Sequence, residues 1–113
     1  MKLTEKQIEA KAKELSTKFK NKVTPIVITD VEGNQIIGYF QEPSYDVIMY
    51  ATDCYLSKEV SKAAEVALKD CLIEEESDKR ILSTSRGDAK IRASFTNSCL
   101  KLIAPYVDEY KKK

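Results

Sequence analysis

The spacing of the apolar residues changes twice along this chain of 113 residues, and it divides the chain into a helix, a hairpin and a helical part. Thr4 and Gln7 have the spacing of a capping box, which satisfies amide groups at the start of a helix. The apolar residues that follow recur on one narrow helical face. They are Ile8, Ala12, Leu15 and Phe19. We expect a first helix from Lys2 or Thr4 to Lys20, which docks loosely by one edge or reaches a partner.

Two short segments after this helix have the composition of strands. Val23–Thr29 and Gln35–Phe40 are rich in β-branched and apolar residues, and the turn between them contains a Gly-Asn pair that tolerates positive φ. This pattern predicts a β-hairpin. Pro25 cannot donate to a strand ladder, so it belongs at a strand start or on an edge. Because an isolated hairpin is marginal in water, its apolar face must lie on helices or pair with another chain.

Three longer helical patterns follow the hairpin. The second helix is expected from Pro43 to Leu56, and Ser57 is a plausible N-cap for the third. Asp88 is expected to cap the last helix, in which Pro105 predicts a kink or an end one residue earlier. The apolar stripe of the third helix is Val60, Ala63, Ala64, Ala67, Leu68 and Cys71, and that of the last is Ile91, Phe95, Ser98, Cys99, Leu102, Ile103 and Tyr106.

Together these elements predict a mostly helical α+β fold, in which an N-terminal helix and one β-hairpin precede three to four packed helices. We expect a single domain over residues 1–113, made of the helix 1–22, the hairpin 23–42 and a helical bundle 43–113. A chain of this length buries roughly two-thirds of the surface that it exposes when unfolded, which is enough for one modest core.

The chain contains no histidine, the side chain most often used as a general base near neutral pH. Its three cysteines, Cys54, Cys71 and Cys99, are widely spaced and form no C-x-x-C pair, so neither a disulfide framework nor a zinc site is indicated. The acidic run Glu74–Glu76 lacks the spacing of a calcium loop. We therefore expect no catalytic residues, no metal site and no cofactor, and a protein that is not an enzyme.

The charged residues are nearly balanced, with nineteen Lys and Arg against eighteen Asp and Glu. A formal net charge of +1 creates no strong field toward phosphate backbones or anionic lipids. No segment approaches the roughly 18 consecutive apolar residues of a membrane span. We expect no nucleic acid, no membrane and no small-molecule substrate among its partners, and a cytoplasmic location, in its own cell or in a host.

The second predicted helix is apolar on two sides, which favours burial on both sides or contact with a partner. Tyr45, Met49 and Leu56 lie on one of these sides. The roughly opposite side contains Val47, Tyr50, Ala51 and Cys54. A flexible methionine beside aromatic residues suits a surface that grips apolar helices of varied sequence. We therefore predict that Tyr45, Met49 and Leu56 bind a protein partner, with ordinary internal packing as the alternative.

The order of these elements resembles that of a known group of proteins. The hairpin leaves through Tyr39–Pro43, an alanine-containing helix pair follows with Cys71 near its end, and an acidic linker leads to a long helix with a lysine-rich end. Over Val23–Lys113 this arrangement resembles the tail assembly chaperone-like proteins of long-tailed phages and prophages of Bacteroides-type bacteria.

The resemblance implies a non-enzymatic protein that coats the apolar helical tape measure protein before the tail tube forms around it. It also implies self-association, which the edge of the hairpin could provide by strand pairing. We therefore expect a homo-oligomer, which lies in the host cytoplasm if a phage encodes the chain. Two alternatives stay open: a small phage regulator or inhibitor that binds a host protein such as a defence component, and a structural component of the virion head or neck.

Overall fold

A two-stranded hairpin lies between one helix on one side and the later helices on the other. The computed structural model describes residues 3–111, with side chains for residues 3–107. The helices are α1 (Glu5–Phe19), α2 (Tyr45–Leu56), α3 (Val60–Cys71) and α4 (Ala89–Lys111), and the strands are β1 (Thr24–Thr29) and β2 (Gln35–Phe40). Short 3₁₀ turns cover Glu74–Glu76, Lys79–Leu82 and Arg86–Asp88. The predicted fold, mostly helical α+β with one hairpin, is confirmed.

The two faces of the hairpin contact different helices, because side chains alternate along a strand. Ile36 and Phe40 of β2 are fully buried in the larger core, which α2, α3 and α4 complete. Tyr39 points to the opposite face and packs with Ile8 and Leu15 of α1 in a second cluster. Helix α1 therefore packs on the hairpin face that the other helices leave open.

Strand β2 is paired along both of its edges. On one edge it pairs antiparallel with β1, with Ile28 opposite Ile36 and Ile26 opposite Gly38. On the other edge it bonds to the segment 71–78 that follows α3. The bonds join Gln41 N to Cys71 O, Ile73 N to Tyr39 O, Asp78 N to Ile37 O and Tyr39 N to Ser77 Oγ, at 2.9, 2.9, 3.0 and 2.9 Å. No sequence pattern predicted this second pairing.

The first helix begins as expected. Gln7 N donates to Thr4 Oγ1 at 3.2 Å and Thr4 N donates to Gln7 Oε1 at 2.8 Å, so the predicted capping box is confirmed. A start at Lys2 lies outside the described residues. Helix α2 begins at Tyr45 rather than at Pro43, because Ser44 is its N-cap and accepts a hydrogen bond from Val47 N at 3.3 Å.

The prediction that Ser57 caps the third helix is wrong. Ser57 instead ends α2, since its amide donates to Asp53 O at 3.0 Å. The next residue, Lys58, takes a left-handed conformation with φ of 62°, which reverses the chain. Helix α3 then starts at Val60, after Glu59, whose side chain makes no capping hydrogen bond.

The last helix continues through its proline. Helix α4 begins directly after Asp88 and runs to Lys111, so of the two alternatives expected at Pro105, a kink or an end, the end is wrong. Ile103 and Val107 lie one turn apart on either side of Pro105, and both are fully buried in the larger core. Their packing stabilises the helix across the missing backbone hydrogen bond.

Gly38 lies where the hairpin meets the larger core. The rings of Phe40 and Phe95 stack beside it with centroids 6.2 Å apart. A Cβ atom on Gly38 would lie 2.8 Å from Phe40 Cε2, 2.9 Å from Ile81 Cδ1 and 3.1 Å from Phe95 Cε1. Carbon atoms normally approach to about 3.5–4.0 Å, so only glycine fits here without displacing the rings.

We expect Gly38→Ala to lower the free energy of unfolding by about 1–3 kcal/mol, because the added methyl group overpacks the core. Urea unfolding followed by circular dichroism measures this change. Gly87→Ala is a matched control, since a Cβ there would meet only Ser85 Oγ at 3.8 Å. Equal losses in the two variants would contradict the assignment of Gly38 as a packing glycine.

Tyr39 is a buried tyrosine whose hydroxyl has no hydrogen-bond partner among the described residues. Burial raises the pKa of this phenol. Lys11 Nζ lies 5.5 Å from the centre of its ring and pairs with Glu76 Oε1 at 2.9 Å. The ring therefore connects α1, β2 and the segment after α3, while its hydroxyl contributes nothing to that contact.

We expect Tyr39→Phe to raise the free energy of unfolding by about 1 kcal/mol, because it removes a buried hydroxyl without a partner and keeps the ring. Thermal unfolding of the variant measures this gain. Tyr106→Phe is the comparison, since Tyr106 Oη donates to Glu42 Oε2 at 3.1 Å and its loss brings no gain. A clear loss of stability in Tyr39→Phe would show that the hydroxyl is used.

Candidate protein-binding surface

Helix α2 is held by its start and by its inner face. The amide of Ser44, its N-cap, donates to Asp70 Oδ2 at 3.1 Å, which ties the start of α2 to the last turn of α3. Val47, Ala51 and Cys54 are buried in the larger core with residues of α3 and α4. Because these three side chains point inward, the opposite side of α2 is exposed at its two ends, at Tyr45 and Leu56, and is covered between them.

The outward side of α2 is apolar. Tyr45 is 75% exposed and Leu56 is 67% exposed, whereas Met49 is partly buried between them. At about 100° of rotation per residue, the three side chains lie within roughly 40° of one another. They span about 16 Å along the helix axis at about 1.5 Å per residue. We refer to Tyr45, Met49 and Leu56 as the α2 stripe.

The structure thus brings the three predicted binding residues to one side of one helix. Tyr50, which the sequence placed with the inner face, is instead 41% exposed at its margin. Thr52 lies only about 20–60° around the helix from the stripe residues but is 3% exposed, and its hydroxyl donates to Ile48 O at 2.9 Å. That the stripe binds a partner stays a prediction.

One margin of the α2 stripe is acidic. Asp46 and Asp53 are exposed and lie about 40–100° around the helix from the stripe residues, both on the same side. On the other side the stripe continues through the partly buried Ile48 into the inner face. A partner lying on the stripe would therefore meet apolar side chains along its centre and carboxylates along one border.

The cysteines and the acidic run Glu74–Glu76 are the candidates for reactive or metal-binding groups, and their surroundings favour a structural role. Burial raises the pKa of both Cys71 and Cys99 to about 12, with nearby Asp70 adding to the effect at Cys71. A thiol with such a pKa is protonated at neutral pH and is a weak nucleophile. In the acidic run, Lys11 holds the pKa of Glu76 below its usual value. Among the described residues, no three Cys, Asp or Glu side chains are grouped to hold a metal ion.

A second surface feature was not predicted from the sequence. A groove of about 550 Å³ lies between the start of β1 and the second half of α4. Pro25 and Ile26 line one wall, and Leu102 and Tyr106 line the other. The two walls are almost eighty residues apart in the sequence, so no local pattern indicates that they meet.

The described helices include none with the length and apolar character needed to cross a membrane. Comparison with models of known protein families gives no match to this chain, and comparison with curated proteins and with solved structures gives none either. The chemistry of its own surface is therefore what bears on its function.

Proposed function

We propose that this chain is a non-enzymatic binding protein that holds apolar helical segments of another protein, as the tail assembly chaperones it resembles hold a tape measure protein. The observation that supports this proposal is the α2 stripe, in which Tyr45 and Leu56 are mostly exposed at the two ends of one helix.

The exposed area of the stripe is a source of binding free energy. Each square ångström of apolar surface removed from water contributes about 25 cal/mol, so covering Tyr45 and Leu56 with an apolar partner is favourable. Tyr45 adds a rigid aromatic group of the kind that dominates protein interfaces. Met49 adds a flexible side chain that adapts to partners of different sequence.

The chemistry of the partner follows from the acidic margin. Asp46 and Asp53 favour a segment that carries Lys or Arg beside its apolar residues. A helix packing along α2 would present apolar residues at positions i, i+4, i+7 and i+11, which span about 16 Å and match the length of the stripe. The proposed partner is therefore a long amphipathic helix with an apolar face and a basic border.

We expect a fluorescently labelled 20-residue helical peptide, with leucines at i, i+4, i+7 and i+11 and flanking lysines, to bind the protein in anisotropy titrations. Leu56→Glu should weaken this binding at least tenfold, which corresponds to about 1.4 kcal/mol, because it places a carboxylate in the apolar contact. Leu56 is preferred to Met49 for this test because Met49 is partly buried.

Val31→Glu is the matched control, because it makes the same kind of change at a fully exposed residue in the hairpin turn. Circular dichroism of both variants checks that the fold is kept. A second peptide, with glutamates in place of the lysines, should bind more weakly than the first. Equal binding by the two variants, or no binding of either peptide, would overturn the proposal.

A further inference from the structure

Strand β1 is paired on one edge only. In an antiparallel pair, two residues directly opposite each other either both direct their N–H and C=O groups toward the partner strand or both direct them away from it. Ile37 and Tyr39 of β2 point away from β1, since they bond to the segment 71–78. Their opposite residues are Val27 and Pro25. Val27 and Pro25 therefore point their backbone groups away from β2.

These outward groups have no partner within the described part of the chain. Thr29 has the same orientation as Val27, because it lies two residues further along β1. No described residue donates to or accepts from the backbone of Val27 or Thr29 on this edge. The side chain of Val27 is 41% exposed, and Thr29 is exposed as well. The edge is thus accessible to another strand.

The edge also lacks the usual protection against pairing. Natural edge strands often carry a charged residue or a proline near their centre, which blocks the approach of a second strand. Strand β1 has the sequence Thr-Pro-Ile-Val-Ile-Thr, with no charge and with its proline in the second position. Its central residues are β-branched, and such residues favour strand pairing.

We propose that two copies of this chain pair through their β1 strands, antiparallel about a twofold axis at Val27, to form a four-stranded sheet. In this register, Val27 N–H of each copy donates to Val27 O of the other. Thr29 N–H of each copy donates to Pro25 O of the other. Pro25 is compatible with this arrangement because only its carbonyl group is needed for that bond.

The charges at the two ends of β1 favour antiparallel pairing with a second copy of the chain. Lys20 and Lys22 precede the strand, whereas Asp30 and Glu32 follow it. Antiparallel pairing brings the basic end of one copy to the acidic end of the other, whereas parallel pairing would bring like charges together. Hydrogen bonds from Asn34 lower the pKa of Asp30, so this carboxylate is charged at neutral pH. The edge is complementary to itself.

We expect sedimentation velocity to show a dimer, and Val27→Cys to be captured as a covalent dimer by a short bifunctional thiol reagent. The axis places the two Val27 residues opposite each other, at a Cα separation of about 5.5 Å. Thr29→Cys is the matched control, because the two Thr29 residues would lie about 13 Å apart along the strands. The natural thiols Cys54, Cys71 and Cys99 are buried, so the unmodified chain gives the background.

A second pair of variants tests the register without changing the strand. Lys22→Glu and Glu32→Lys each place like charges together, and each should raise the dissociation constant of the dimer about fivefold. The double variant should restore it, because opposite charges then meet again. A monomer at all concentrations, a Thr29→Cys chain that links as readily as Val27→Cys, or no restoration in the double variant would overturn the proposal.

Discussion

The fold depends on the close approach of the hairpin to the helical core at Gly38. The absence of a side chain there allows the Phe40 and Phe95 rings to stack and brings Ile81 within reach of both. This contact fixes β2 against α4 and the 3₁₀ turn Lys79–Leu82. With β2 fixed in this way, the other elements are arranged around that strand.

Strand β2 is surrounded on all four sides. The larger core covers one face, α1 covers the other, and β1 and the segment 71–78 pair with its two edges. Helices α2, α3 and α4 also cover one another in the larger core. Two of the accessible features that remain are the outer edge of β1 and the α2 stripe of Tyr45, Met49 and Leu56. Helix α2 is fixed by its buried inner face, and β1 is fixed by its pairing with β2 and by the partly buried Ile26 and Ile28.

What the sequence predicted correctly depends on interactions between near neighbours in the chain. The capping box at Thr4, the hairpin and the three later helices all follow from short spacings. The errors have nonlocal or conformational causes. Ser57 has the chemistry of an N-cap, but the left-handed residue Lys58 places it at the end of the preceding helix. Pro105 stays within α4 because buried residues on either side outweigh its local preference.

The two proposed surfaces share no residue, and their combination has a consequence for affinity. A dimer formed through β1 would carry two α2 stripes, one on each copy. A long helix with repeated apolar segments could then be held at two points, and the second contact would form at the high effective concentration set by the first. Individually weak contacts through Tyr45 and Leu56 would suffice to retain a long helix and would still release a short one. Selectivity for long helical partners would thus come from the symmetry of the sheet rather than from a tight individual site.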